Sequence, residues 1–138
     1  MALLLNGNLS ELPRLTEEAA RFCREHSLGD DVESDLNLVL EELFVNSVQH
    51  GGCAGIDGTA EIELARVPGG VELRYGDRGV EFDPSTAPAP DVTASLEERA
   101  LGGMGLHLIR QIMRDFEYHR VDGWNRMRMR RPTPAEGE

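Results

Sequence analysis

The chain is 138 residues long, enough for one domain with a sizeable core, and 40% of it is hydrophobic. With 28% charged residues and a formal net charge of −11, its surface is poorly suited to a phosphate backbone, which argues against direct nucleic-acid binding as its main function. Cys23 and Cys53 form no CxxC pair and lack the further cysteine or histidine pair that a zinc site needs, so a reduced, cytoplasmic protein is expected.

The N-terminal run MALLLNGN is too short for the apolar region of a signal peptide and has no basic residues before it. No later stretch is apolar enough to span a bilayer, so no membrane association is expected. Ala2 to Leu9 reads as a short strand broken at the turn-prone Asn6-Gly7. Ser10 is the expected N-cap of a first helix, with Pro13 in its first turn. Leu12, Leu15, Ala19, Phe22 and Cys23 then keep helical spacing up to Ser27-Leu28-Gly29. Asp30-Asp31 opens a second helix, with acidic side chains near the positive end of its dipole. Within that helix, Leu36, Val39, Leu40, Leu43 and Phe44 recur at intervals of three and four residues, the period of a helix with one face in a core.

Gly51 to Gly58 is a glycine-rich loop, after which the period changes to two. Thr59 to Arg66 and Val71 to Tyr75 alternate apolar and polar residues, as half-buried strands do, with Pro68-Gly69-Gly70 supplying the turn of a hairpin. Asp83 to Gly102 has three prolines, little periodicity and one short candidate helix near Leu96 to Leu101, a pattern expected of a lid-like loop. Gly105 to Arg114 resumes a helix. Phe116 to Val121 and Trp124 to Arg130 form a second hairpin across Asp122-Gly123. Arg126, Arg128, Arg130 and Arg131 cluster there and are read as its solvated face. The order predicts an α+β fold, a two-layer α/β sandwich with helices on one face of a mixed, mainly antiparallel sheet.

Three motifs stand out. Glu42, Asn46 and His50 follow at i, i+4 and i+8, forming a polar column beside the apolar stripe at the lip of the core. Such a column either serves chemistry or is a solvated helix flank. Asp77-Arg78-Gly79-Val80-Glu81-Phe82 follows a strand; its aspartate could accept a hydrogen bond from an exocyclic amine, or the segment is an ordinary Asp-x-Gly turn. Leu101-Gly102-Gly103-Met104-Gly105-Leu106 leads into a helix, where free backbone N–H groups suit phosphate or the glycines form a hinge. There is no GxxxxGK[ST] sequence, which excludes a P-loop.

Taken together, E-x-x-x-N-x-x-x-H-G on a helix, D-x-G-x-x-F after a strand and G-G-x-G-L-x-L-I opening a helix resemble the Bergerat-type ATP-binding fold of DNA gyrase and histidine kinases. More narrowly, the chain is similar to the RsbW-like anti-sigma-factor serine/threonine kinases over nearly its whole length. The resemblance implies an ATPase domain over residues 1–131, an ATP lid at about 83–104, and a flexible tail over 132–138. It implies ATP and Mg²⁺ as cofactors. In it, Glu42 corresponds to the general base, with Glu41 as its rival, and Asn46 to the Mg²⁺ ligand. Asp77 corresponds to the acceptor for the adenine amine and Gly79 to the residue that lets the base approach. Gly103 and Gly105 correspond to lid glycines meeting the phosphates, Met104 to a residue covering the nucleotide, and His50 to a structural or phosphate-adjacent position. The partners implied are a sigma factor, a STAS-type anti-sigma antagonist that is phosphorylated, and a second copy in a homodimer.

Two positions depart from the resemblance: Arg114 stands where relatives tend to carry an acid, and Asn125 where a small Gly-Thr element is common. Two other functions fit the same motifs. One is a nucleotide-gated binding module without phosphoryl transfer. The other is the ATP-binding part of a histidine kinase, against which stands the lack of a helix carrying a phosphoacceptor histidine. The remaining histidines, His26, His107 and His119, and Trp124 are read as structural.

Overall fold

The computed structural model describes residues 1–82 and 103–134. Its elements are β1 (Ala2–Leu5), a 3₁₀ turn (Leu9–Glu11), α1 (Leu12–Glu25), α2 (Gly29–Gln49), β2 (Ala60–Val67), β3 (Gly70–Asp77), α3 (Gly103–Ile112), β4 (Arg114–Val121) and β5 (Trp124–Pro132). The five strands form one sheet in the order β1-β2-β3-β5-β4, and each described pairing is antiparallel. The α+β arrangement of helices and a mainly antiparallel sheet is therefore present as expected; within the described residues the sheet has no parallel component. The candidate helix at 96–101 and most of the lid-like stretch lie outside the described residues.

Alternation places the core on one sheet face. Ile62, Tyr75 and Met127 stand opposite one another across β2, β3 and β5, as do Leu64, Leu73 and Met129. All six are buried, and they join Leu36, Val39, Leu40, Leu43 and Phe44 of α2 in a single cluster. Each fully buried side chain of this kind contributes roughly 1.5–3 kcal/mol of burial free energy. The opposite face carries charge that pairs across strands: Arg126 with Glu61 at 2.6 Å and Arg128 with Glu117 at 2.5 Å. These arginines mark a solvated face as read from the sequence. Arg131 is out of phase with them, and its guanidinium donates to Asp35 of α2 at 3.0 and 2.7 Å.

Local chemistry sets the boundaries. Ser10 is not the cap of α1. Its N–H is instead received by the Asn8 side chain at 2.8 Å, because Asn8 holds the extended backbone a cap requires and a 3₁₀ turn intervenes before the helix. Helix α1 ends in the expected place. Ser27 takes φ 53°, and the N–H groups of Ser27 and Leu28 return to the carbonyls of Arg24 and Cys23. This is a Schellman closure built on serine. At the β4–β5 turn both Asp122 (φ 50°) and Gly123 (φ 83°) are left-handed, the type I′ geometry that matches strand twist. Strand β5 runs through Pro132, and the Thr133 N–H donates to Gly69 O at 3.0 Å. The chain is thus held two residues into the expected tail. Arg114, the first departure, caps α3: its guanidinium donates to the carbonyls of Gln111 and Met113. Among the described residues no helix is long and apolar enough to cross a membrane.

Candidate functional site

The apolar stripe of α2 does not stop at Phe44. Its next position in phase is Ser47, which is also buried. Its hydroxyl lies 2.6 Å from Asp77 Oδ2 and 2.6 Å from the Tyr75 hydroxyl. Serine has one proton, and the carboxylate is the stronger acceptor, so Ser47 donates to Asp77 and accepts from Tyr75. Burial pushes the Tyr75 phenol far above its ordinary value, which keeps it a neutral donor. Asp77, at the end of β3, is itself buried. Its Oδ1 accepts from Gly79 N at 3.0 Å and from Asn125 Nδ2 at 2.8 Å. A carboxylate can thus be buried here because donors from three elements meet it.

The loop after Asp77 is pinned against the end of α2. Val80 N donates to Gly51 O at 2.9 Å, and Arg120 of β4 donates to Gly79 O at 2.7 Å. A Cβ on Gly79 would stand 2.4 Å from Gly51 O and 3.2 Å from Cys53 Sγ. Glycine is required here by the approach of one backbone to another. Trp124 sits beside this loop with the Arg78 and Arg126 guanidinium carbons 4.8 and 4.3 Å from its ring centre, which suits the structural reading given to it.

Above Asp77 opens a cleft of about 230 Å³ lined by Leu43, Asn46, Ser47, His50, Gly51, Asp77, Val80, Glu81, Phe82, Asn125 and Met127. Val80 and Phe82 are exposed apolar side chains at its rim. An apolar slot with one buried acceptor suits a flat heteroaromatic ring bearing an amine. At this volume the slot matches a base better than a whole triphosphate nucleotide. A larger depression of about 360 Å³ lies on the charged sheet face, around Glu61, Glu63, Arg74, Glu117 and Arg126. Its acids and arginines largely neutralise one another, and it holds no buried carboxylate like Asp77, so the smaller cleft is the better site.

The structure brings Asn46, His50 and Asp77 into one cleft, with Gly79 in the loop beside it. Glu42 is one turn before Asn46 and half-buried, outside the cleft lining; desolvation first, and the charge of Glu41 second, raise its pKa. Gly103, Met104 and Gly105 form the first turn of α3, where N–H groups lack intrahelical partners. Among the described residues no cluster of three His, Cys, Asp or Glu could hold a metal. The Asn46 carboxamide oxygen fits Mg²⁺ in the manner of that ion in nucleotide sites, one or two protein oxygens with the other positions filled by phosphate and water. Sequence reasoning missed Ser47, Tyr75 and Tyr118, and saw Asn125 only as a departure. The phase of Ser47 in the α2 stripe was the available signal.

Residues 5–131 match the histidine kinase-like ATPase domain family. The chain is 34% identical over 92 residues to the serine/threonine-protein kinase BtrW of Bordetella bronchiseptica, covering 67% of this chain and 65% of that protein. It is 31% identical over 93 residues to the serine-protein kinase RsbW of Listeria monocytogenes, covering 64% and 59%. It thus spans about six-tenths of the length of these curated relatives. Among solved structures, the RsbU and RsbW domains of a Mycobacterium tuberculosis protein superpose with TM-score 0.70 at 14% identity, covering 98% of this chain and 33% of that one. The Acinetobacter baumannii histidine kinase AdeS gives 0.53 at 13%, covering 96% and 68%; these two likenesses concern the fold alone. With the family match covering the described hairpins and helices and the cleft, the chain belongs to the histidine kinase-like ATPase domain family.

Proposed function

We propose that this chain binds Mg²⁺-ATP in the cleft over Asp77 and acts as a cytoplasmic serine/threonine protein kinase that phosphorylates a STAS-type antagonist and holds a sigma factor. The observation that carries the reading is the buried, donor-surrounded Asp77 carboxylate under an apolar cleft whose wall is the Asn46–His50 face of α2. The names of the relatives, serine and serine/threonine kinases, support the choice of acceptor.

In this reading Asp77 accepts the adenine amine, Leu43, Met127, Val80 and Phe82 enclose the base, and Gly79 fixes the loop. Asn46 offers its oxygen to Mg²⁺, and His50 stands near the phosphates. When bound, Mg²⁺ neutralises charge on the phosphate oxygens. Gly103 and Gly105 present backbone N–H groups at the start of α3, with Met104 covering the nucleotide. Glu42 accepts the hydroxyl proton of the serine or threonine as that oxygen bonds to the γ-phosphorus, the bond from the γ-phosphorus to the bridging oxygen breaks, and ADP leaves with that oxygen. A raised proton affinity makes Glu42 a stronger base than an ordinary glutamate near neutral pH.

The position of Glu42 outside the cleft lining also supports a second reading, a nucleotide-gated binding module that makes no phosphoryl transfer. Incubation with γ-labelled ATP and the antagonist protein separates the two. The kinase reading expects acid-stable label on serine or threonine, lost in Glu42→Gln. Bound ATP without label would favour the gated module, acid-labile label a histidine-kinase chemistry. An unchanged rate in Glu42→Gln would remove Glu42 from the base role.

A further inference from the structure

Asn125 makes every hydrogen bond an amide can make. Its two Nδ2 protons go to Asp77 Oδ1 at 2.8 Å and Val80 O at 2.7 Å, and its Oδ1 receives the Tyr118 hydroxyl at 2.6 Å and the Phe82 N–H at 3.3 Å. The orientation of the amide is forced. Turned over, its oxygen would face a carboxylate and a carbonyl, and its nitrogen a backbone donor. A saturated amide has nothing left for a ligand, so Asn125 acts on the cleft only through what it holds.

What it holds is the acceptor. A carboxylate has about four acceptor positions. Asp77 Oδ1 is engaged twice, by Gly79 N and by Asn125, while Oδ2 is engaged once, by Ser47. The spare acceptor capacity is therefore on Oδ2, and Asn125 stops the carboxylate from turning to share it. The same amide ties down Val80 and Phe82, the apolar rim of the slot. Resting on the nucleotide reading above, we infer that Asn125, oriented by Tyr118, is the positioning residue that makes this site select a base carrying an exocyclic amine over one carrying a carbonyl at the same position. A fixed acceptor whose neighbouring donors are all engaged by the carboxylate itself leaves a carbonyl unpaired against it, a strong ground for rejection.

The test compares Mg²⁺-ATP with Mg²⁺-ITP, in which the amine is replaced by a carbonyl, by calorimetry on the full chain. The wild type prefers ATP by about ten- to hundredfold. Asn125→Asp, which keeps the shape but replaces the donor with an acceptor, brings the ratio toward one, and Tyr118→Phe lowers it part of the way. Thermal unfolding establishes that each variant folds; if Asn125→Asp does not, Tyr118→Phe decides. Folded variants that weaken ATP and ITP equally, leaving the ratio at its wild-type value, would make Asn125 merely structural and overturn the inference. A wild type that binds both nucleotides equally would overturn it while leaving the nucleotide site standing. A wild type that binds neither would remove the nucleotide reading itself and this inference with it.

Discussion

Ser47 Oγ lies 2.6 Å from Asp77 Oδ2, joining the end of the α2 stripe to the end of β3 across 30 residues of sequence. The core stripe of one element thus terminates in the donor that the other element's buried acid needs. Replacing Ser47 with Ala removes that donor and one partner of the Tyr75 hydroxyl. The expected result is a stability loss of about 1–3 kcal/mol in denaturant unfolding, with weaker ATP binding. Wild-type stability and affinity would show that water replaces the hydroxyl at no cost.

Glu42 gives a pH prediction. Its raised pKa means that the folded chain favours the neutral acid over the charged form, relative to the ordinary value of 4.5. As a base it must be ionised, so phosphoryl transfer falls as pH drops through the raised value, and the acid limb of the rate profile has its midpoint above 4.5. Glu41→Gln removes the second cause of the shift and moves that midpoint downward. The sign for stability is opposite: the Glu42 charge opposes folding above the raised value, and that opposition is gone below the ordinary one. Glu42→Gln is therefore expected to keep or raise Tm at pH 7 while abolishing transfer, a combination that misfolding cannot produce.

Asn46 is the one cleft residue assigned to the metal. In the presence of Mg²⁺, Asn46→Ala should weaken ATP binding by roughly tenfold, equivalent to about 1.4 kcal/mol. With Mg²⁺ removed by EDTA, wild type and variant should converge. Equal losses with and without Mg²⁺ would place Asn46 against the nucleotide rather than the ion.

Gly79→Ala drives a Cβ into the Gly51 carbonyl, a backbone atom that cannot rotate away. One of the two loops must move, at a cost of about 1–3 kcal/mol. Because Gly79 N also donates to Asp77, the shift should weaken ATP binding as well as lower Tm. A neutral substitution would mean that the two loops separate freely.

What the sequence revealed follows from what is local. The α2 stripe, the alternation of β2 and β3, and the Asp122-Gly123 turn depend on neighbours within a few residues, and each element stands where the period puts it. The column of Asn46 and His50 was visible for the same reason. The network beneath it was not, because the links that join Ser47 to Tyr75 and Asp77, and Asn125 to Asp77, run between residues 28 to 48 positions apart. Asn125 is a polar residue in the inward phase of Met127 and Met129 on β5, and Ser47 keeps the phase of a core position on α2, but neither position names the partner it meets. Ser10 misled because a side-chain cap depends on backbone angles, and those favoured Asn8. Arg131 misled because it falls one residue out of step with the outward-facing arginines.

Whether Asp77 receives an adenine amine is decided by calorimetry of Mg²⁺-ATP binding to the wild type and to Asp77→Asn. If Asp77 is that acceptor, the wild type binds and the variant loses about tenfold or more in affinity, with its fold retained as judged by its unfolding transition. A folded wild type that does not bind, or an Asp77→Asn variant that binds as tightly as the wild type, would contradict that role for Asp77.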